Sequence, residues 1–408
     1  MKSIVQIIEF IVVLCFVFIF FNSCLINAVF QMVNYNEKQI ENLPDTFRVE
    51  LPITIDSVSN YFSLSACVND SVNESFIIDT KMNTSSYKTE DIQKLNPHFW
   101  GKRPLNVTNS SGQQYKPNLY YFDKFSINEL NLGNPLFSGI DTANTTYNIM
   151  YKNVIGTNIL ELLNWKFDLD NNKLILFGFK DNQLLENEIE GFDLIKNGLD
   201  YDKIKILFPK IKKVGNFTLD LGCGDEILVN KNMFRLLKQT HPYRKIIGVK
   251  KTLYLFENVD IQWGSIQIPN CQVFYNSAFP KNIIGARLIK RFNFILNYRN
   301  QNTKYLSLNN LYIKPKVNFE KIDYIPAISD FGFIVDKRGD KYFVSYLEEN
   351  GIADKLGIKL QDEIVCIEKQ FFDFSNQKLL IKFLLHKKQI TIEIVRNGTT
   401  KEFNLIQN

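Results

Sequence analysis

Two aspartates occupy the same local setting about 140 residues apart. Asn216-Phe217-Thr218-Leu219-Asp220-Leu221-Gly222-Cys223-Gly224 is an apolar, β-prone run that ends on a carboxylate, with glycine two positions later. Ser75-Phe76-Ile77-Ile78-Asp79-Thr80-Lys81 has the same layout. A strand that delivers Asp into a tight turn holds a carboxylate rigidly at a cleft, the placement that acid–base chemistry needs. One Asp-x-Gly by itself reads as a surface turn after an edge strand. The second copy points to a paired role.

The surroundings repeat as well. Each Asp is preceded by a strand, a polar turn and a second strand. In the first copy these are Tyr61 to Val68, Asn69-Asp70-Ser71, and Phe76 to Ile78. In the second they are Lys203 to Ile211, Lys213 to Gly215, and Phe217 to Leu219, with Val214-Gly215-Asn216 read as a turn. Downstream, each copy reaches an apolar-apolar-Gly element, Val154-Ile155-Gly156 and Ile283-Ile284-Gly285. An apolar strand and a polar turn follow each one. A period of this length fits duplicated lobes rather than a short solenoid repeat.

This order of motifs, from roughly Phe47 to Leu308, resembles the pepsin-like and retropepsin-like aspartic proteases. The resemblance implies a mainly β fold, a bilobal pair of β-barrels, with Asp79 and Asp220 as the catalytic dyad across the lobe interface. Thr80 and Gly222 would support the two catalytic loops. A β-hairpin flap would lie between Asn106 and Ile127, with Tyr120 and Tyr121 as its aromatic lining. Two departures stand out. Lys81 occupies a position where the family has Gly, whose backbone freedom that turn would use. Leu221 replaces a hydroxyl that usually braces the opposite lobe.

Two carboxylates that share one proton cannot both ionise, so the pair titrates as a unit. The ionised member takes a proton from water and the protonated member polarises the scissile carbonyl. Lys81 would favour double ionisation and oppose that state. Two functions therefore compete: a peptidase of the cell envelope, or an inactive scaffold of the same fold that binds extended peptide.

The last part of the chain resembles a bacterial-type PDZ domain. It has a Phe331-Gly332-Phe333 loop, small residues around Gly351-Ile352-Ala353, then Gly357-Ile358-Lys359-Leu360-Gln361-Asp362-Glu363-Ile364 and a closing hairpin at Asn397-Gly398. Gln361 stands where the family has Gly. Such a domain is small and α+β, and its loop and adjoining strand take an extended peptide. Phe331 and Phe333 would line the peptide pocket or the core beneath it.

The remaining features set limits. The chain of 408 residues is 45% hydrophobic and 22% charged, which is enough to bury more than one core. Its formal charge of +5 is small and its lysines are scattered among acidic residues, so nucleic acid is not an expected partner. Phe10 to Phe21 is an apolar run of signal-peptide length that leads to Ser23-Cys24, similar to a bacterial lipobox. The expectation is export and a lipid on Cys24 that anchors the protein to membrane. Cleavage after Ala28, giving a periplasmic or secreted protein, and an uncleaved anchor are the alternatives. Cys67, Cys223, Cys271 and Cys366 lack zinc-ligand or redox spacing, and His98, His241 and His386 form no ligand pair. No cofactor or metal is expected. The expected divisions are 1–24 signal, 25–46 linker, 47–178 first lobe, 179–201 inter-lobe linker, 202–320 second lobe and 321–408 PDZ.

Overall fold

The computed structural model describes residue 35, residues 38–39 and 43–44, and most of the chain from 46 to 407. Within that last span it excludes 57–58, 103–106, 109–113, 141–152, 179–181, 197–203, 250, 279, 299–309, 320–327, 339, 371–379, 381–382 and 386. The chain is mainly β.

In the first lobe, strands Phe62–Val68 and Val72–Ile78 form a hairpin. Its turn residues Asn69 and Asp70 both take left-handed backbone, φ 51° and 53°. Asn and Asp tolerate that region, and the resulting twist matches the strands. Strand Asn153–Ile155 then runs parallel to the strand that ends at Ile78, and Ser85–Lys88 lies antiparallel on its other side. The second lobe repeats this arrangement. Ile204–Phe208 pairs with Lys213–Asp220, which pairs parallel with Ile283–Gly285. Ile227–Leu228 lies antiparallel on the far side.

Two local expectations are corrected in the second lobe. The strand from Lys203 stops at Phe208, because Pro209 cannot continue the ladder, and the turn is Pro209–Lys212 with Lys212 at φ 50°. Val214-Gly215-Asn216 is not a turn but lies inside strand Lys213–Asp220. Gly215 is there for space: a Cβ would come within 2.6 Å of the Phe217 ring and 3.0 Å of Met233.

A six-stranded sheet joins the lobes, in the order Arg48–Pro52, Lys173–Phe177, Asn164–Asp168, Phe292–Asn297, Asn310–Pro315 and Asp193–Lys196. Asn164–Asp168 and Phe292–Asn297 are the equivalent strands of the two lobes, and they pair with each other. Phe167 and Phe294 stack across that seam at 4.1 Å, with Phe62 edge-on to both. One buried core runs through both lobes. The segment expected to be a linker contributes helix Asn182–Glu188 and the edge strand Asp193–Lys196. Its apolar Leu184, Leu185, Ile189 and Phe192 pack on Ile175, Phe177 and Ile295, while Glu188 pairs with Lys166 and Arg48.

The C-terminal module has its own core around Phe331, Phe333, Val344, Ile364 and Ile392. Its closing hairpin, Gln389–Arg396 with Thr399–Ile406, turns at Asn397-Gly398, both left-handed as expected. Gln361 keeps the glycine conformation at φ 70°. Asp362 is buried and bidentate to Arg396, which assigns this Asp to the fold. Strand Lys341–Glu348 pairs with Arg244–Gly248 of the second lobe, so one sheet runs from lobe to module.

Glu226 and Arg291 form a buried ion pair beneath the Asp220 loop. Glu226 also accepts from Gln272 N–H at 2.6 Å, and its carbonyl accepts from Gly285 N–H at 3.0 Å. Glu226→Gln leaves a guanidinium buried without its counter-charge and should cost about 3 kcal/mol or more in urea unfolding. The exposed Glu50→Gln, which loses contacts to Arg48 and Lys173, should leave the urea midpoint in place.

Candidate active site

Each lobe builds its aspartate loop in the same way. Asp79 ends its strand with its N–H bonded to Ile155 O at 2.9 Å. Its Oδ1 accepts from the Lys81 and Met82 N–H groups, at 2.7 and 3.0 Å. Gly156 lies directly against this loop, since a Cβ there would be 2.4 Å from Met82 O. Thr157 N–H bonds that same carbonyl at 2.7 Å. In the second lobe Asp220 accepts from the Gly222 and Cys223 N–H groups. Gly285 lies against Asp225 O, where a Cβ would be 2.1 Å away, and Ala286 N–H bonds Cys223 O at 2.7 Å.

The two loops meet at Thr80. Its buried hydroxyl donates to Leu219 O at 3.0 Å and accepts from Leu221 N–H at 3.1 Å, so it binds the opposite lobe on both sides of Asp220. Leu221, with no hydroxyl to return, is fully buried in the shared core. Gly222 faces Asp79, and a Cβ at Gly222 would be 2.2 Å from Asp79 Oδ2. Glycine is required here by close approach, because Gly222 is not left-handed. Lys81 is not left-handed either, which corrects the expectation that its turn needs glycine's backbone.

The electrostatics follow from this packing. Burial, and next the charge of Asp79, push the Asp220 carboxyl up to about 7, against the Gly222 N–H and the Lys81 charge. Burial also raises Asp79, while the Lys81 and Met82 N–H groups and the Lys81 ammonium pull it down. Tyr61 was not apparent from the sequence. It is buried, and burial together with Cys223, Asp225, Asp79 and Asp220 raises its phenol. Nothing in its sequence neighbourhood marks it, because the chain places it beside the carboxylates only through tertiary contact. Cys223 is likewise held as a neutral thiol by burial and by Asp225 and Asp220. Asn60 Nδ2 donates to Gly224 O at 3.0 Å and its Oδ1 accepts from Lys290, a further tie between the lobes.

The other expected residues are on further elements. Tyr120 and Tyr121 are on strand Asn118–Tyr121, paired with His98–Lys102, and a short ladder, Val107–Thr108 with Gln114–Tyr115, extends that hairpin. Tyr120 is buried in the first lobe, with its hydroxyl accepting from Gln93 and Asn118. Tyr121 stacks on His98 at 4.9 Å. Ser110-Ser111-Gly112 and Cys24 are outside the described residues. Phe331 and Phe333 belong to the core of the C-terminal module. Between them Gly332 is left-handed at φ 82°, its N–H bonded to Ser329 O. Strand Phe333–Arg338 pairs along one edge, with Lys341–Glu348.

No protein-family model matches this chain. No curated protein matches it by sequence. Solved structures similar to it include a retropepsin-like aspartic protease from Rickettsia conorii, 20% identical, over 33% of this chain and 93% of that one, with a TM-score of 0.24. The PDZ domain of EpsC from Vibrio cholerae is 18% identical over 19% of this chain and 79% of that one, TM-score 0.16. Basic 7S globulin from soybean is 10% identical over 65% of this chain and 95% of that one, TM-score 0.38. What the site can do follows from the loop geometry above rather than from these likenesses.

Proposed function

We propose that the chain is an aspartic peptidase whose dyad is Asp79 and Asp220. The observation that carries this is the meeting of two equivalent loops, which sets the Asp79 carboxylate against Gly222 and makes its charge oppose ionisation of Asp220. One proton is then shared near neutral pH. The ionised carboxylate takes a proton from water, the water oxygen attacks the peptide carbonyl, and the protonated carboxyl hydrogen-bonds the developing oxyanion. Thr80 holds the two loops in register. The C-terminal module accepts extended peptide along strand Phe333–Arg338. Residues 1–24 direct export to the cell envelope, with a lipid on Cys24. The one-sided Thr80 brace and the side chain at Lys81 favour a second reading, an inactive peptide-binding scaffold.

Purified protein and a mixed peptide library separate the two readings. Asp79→Asn and Asp220→Asn should each lower turnover at least about a thousandfold while remaining folded. A statine-type transition-state mimic should inhibit the wild type. Full turnover in either variant removes the assignment, and a folded wild type that binds peptides without cleaving any supports the scaffold.

The pH dependence has a definite sign. Activity should hold through mildly acidic pH and fall as pH passes about 7, where the shared proton leaves. Both carboxyls are raised in the folded state, so the fold binds their protons more tightly than the unfolded chain does. Their contribution to stability is present below the ordinary carboxylate range, about 4, and is lost as pH rises towards 7. The urea midpoint of wild type, taken relative to Asp220→Asn, should fall over that window. A flat difference counts against the pair.

A further inference from the structure

We propose that the C-terminal module recognises the interior of an extended polypeptide and not a C-terminal carboxylate. This rests on the reading above that the module accepts peptide along strand Phe333–Arg338, and adds to it the class of ligand.

A loop captures a terminal carboxylate with successive backbone N–H groups that are open to it. In the Phe331-Gly332-Phe333 loop two successive groups are already engaged. Gly332 N–H donates to Ser329 O at 2.8 Å, and Phe333 N–H is directed at Ser329 Oγ, 3.5 Å away. Ser329 is fixed in that place: it is buried, and its hydroxyl donates to Phe333 O at 3.1 Å. The loop carbonyls are used as well. Phe331 O accepts from Ala353 N–H at 3.0 Å, and Gly332 O from Glu348 N–H at 2.8 Å. Gly332 itself is buried. A Cβ on Gly332 would stand 3.2 Å from Glu348 Oε2, so a carboxylate of the module already lies against the loop. Arg244 of the second lobe forks onto that carboxylate at 2.7 and 2.6 Å. A peptide terminus brought here would have to open the Ser329 turn and meet a like charge whose partner is already taken. The strand offers a different kind of contact. Phe333–Arg338 pairs with Lys341–Glu348, and among the described strands none pairs with its other edge. A strand edge bonds the main chain of an added strand, which every stretch of extended polypeptide carries, wherever it lies in its chain. Recognition therefore falls to the edge, and the terminus adds nothing.

The test uses the full chain carrying Asp79→Asn, which leaves the module untouched and keeps peptides whole. Each peptide of a mixed library is made as the free acid, as the C-terminal amide, and with Gly-Ser-Gly-Ser appended after its last residue. Hydrogen exchange read by mass spectrometry places the binding, and titration of the protection over Phe333–Arg338 gives Kd for the module apart from the cleft. Peptides that slow exchange there should do so with Kd equal within about twofold for the three forms. A loop that held the carboxylate by charge-assisted hydrogen bonds would lose about tenfold or more on amidation. Any loss beyond about twofold on amidation or extension overturns the inference and leaves the module's peptide binding standing. If no library peptide protects Phe333–Arg338, the peptide-binding reading fails and the inference fails with it.

Discussion

The arrangement depends on one side chain crossing between lobes. The Thr80 hydroxyl donates to Leu219 O and accepts from Leu221 N–H, so it clamps the opposite strand on either side of Asp220. Two carboxylates repel when both are charged and lose hydration when buried, so nothing in their own chemistry draws them together. The cost of bringing Asp79 and Asp220 together is met elsewhere: by this clamp, by the loop N–H groups that each carboxylate accepts, and by the strand pairing of Asn164–Asp168 with Phe292–Asn297 beneath. Removing the hydroxyl would leave the Leu221 N–H buried without its acceptor, which is the costly way to lose a hydrogen bond.

The internal repeat is one of backbone, and the side chains break its symmetry. Thr80 faces a Leu rather than a second hydroxyl, so the brace runs one way. Gly222 admits the Asp79 carboxylate, whereas Lys81 presents a side chain at the matching place. Further down, Asn158 binds Ser85 N–H at 2.6 Å and Leu136 O at 2.8 Å. The corresponding Arg287 reaches Gln272 at 2.7 Å, in a network that includes Glu226 and Arg291. The first lobe is held by neutral amide bonds and the second by buried charge.

The C-terminal module is not merely tethered. Its strand Lys341–Glu348 continues the sheet of the second lobe, and Arg244 forks onto Glu348 at 2.7 and 2.6 Å while Lys245 pairs with Glu349. An apolar cluster joins Ile328, Ile334 and Tyr346 of the module to Leu228, Phe274, Ile283 and Cys223 of the lobe. Cys223 also carries one of the N–H groups on Asp220. The strand that would accept peptide and the loop that holds Asp220 are therefore neighbours through one packed cluster.

The sequence by itself determined the features that depend on near neighbours. Apolar runs ending in Asp, left-handed Asn and Gly at hairpin turns, and the apolar-apolar-Gly elements all follow from backbone preference and period, and the strands form where those patterns lie. Local reading failed where a residue's reason is distant in the chain. Gly215 looked like a turn and is instead space for Phe217 and Met233. The charged segment after 181 looked like a linker, yet its few apolar residues are spaced to cover Ile175 and Ile295. Tyr61 beside the carboxylates, Gly222 against Asp79, and the fusion of module to lobe were decided only by tertiary structure. Each is a contact between segments whose meeting no local propensity encodes.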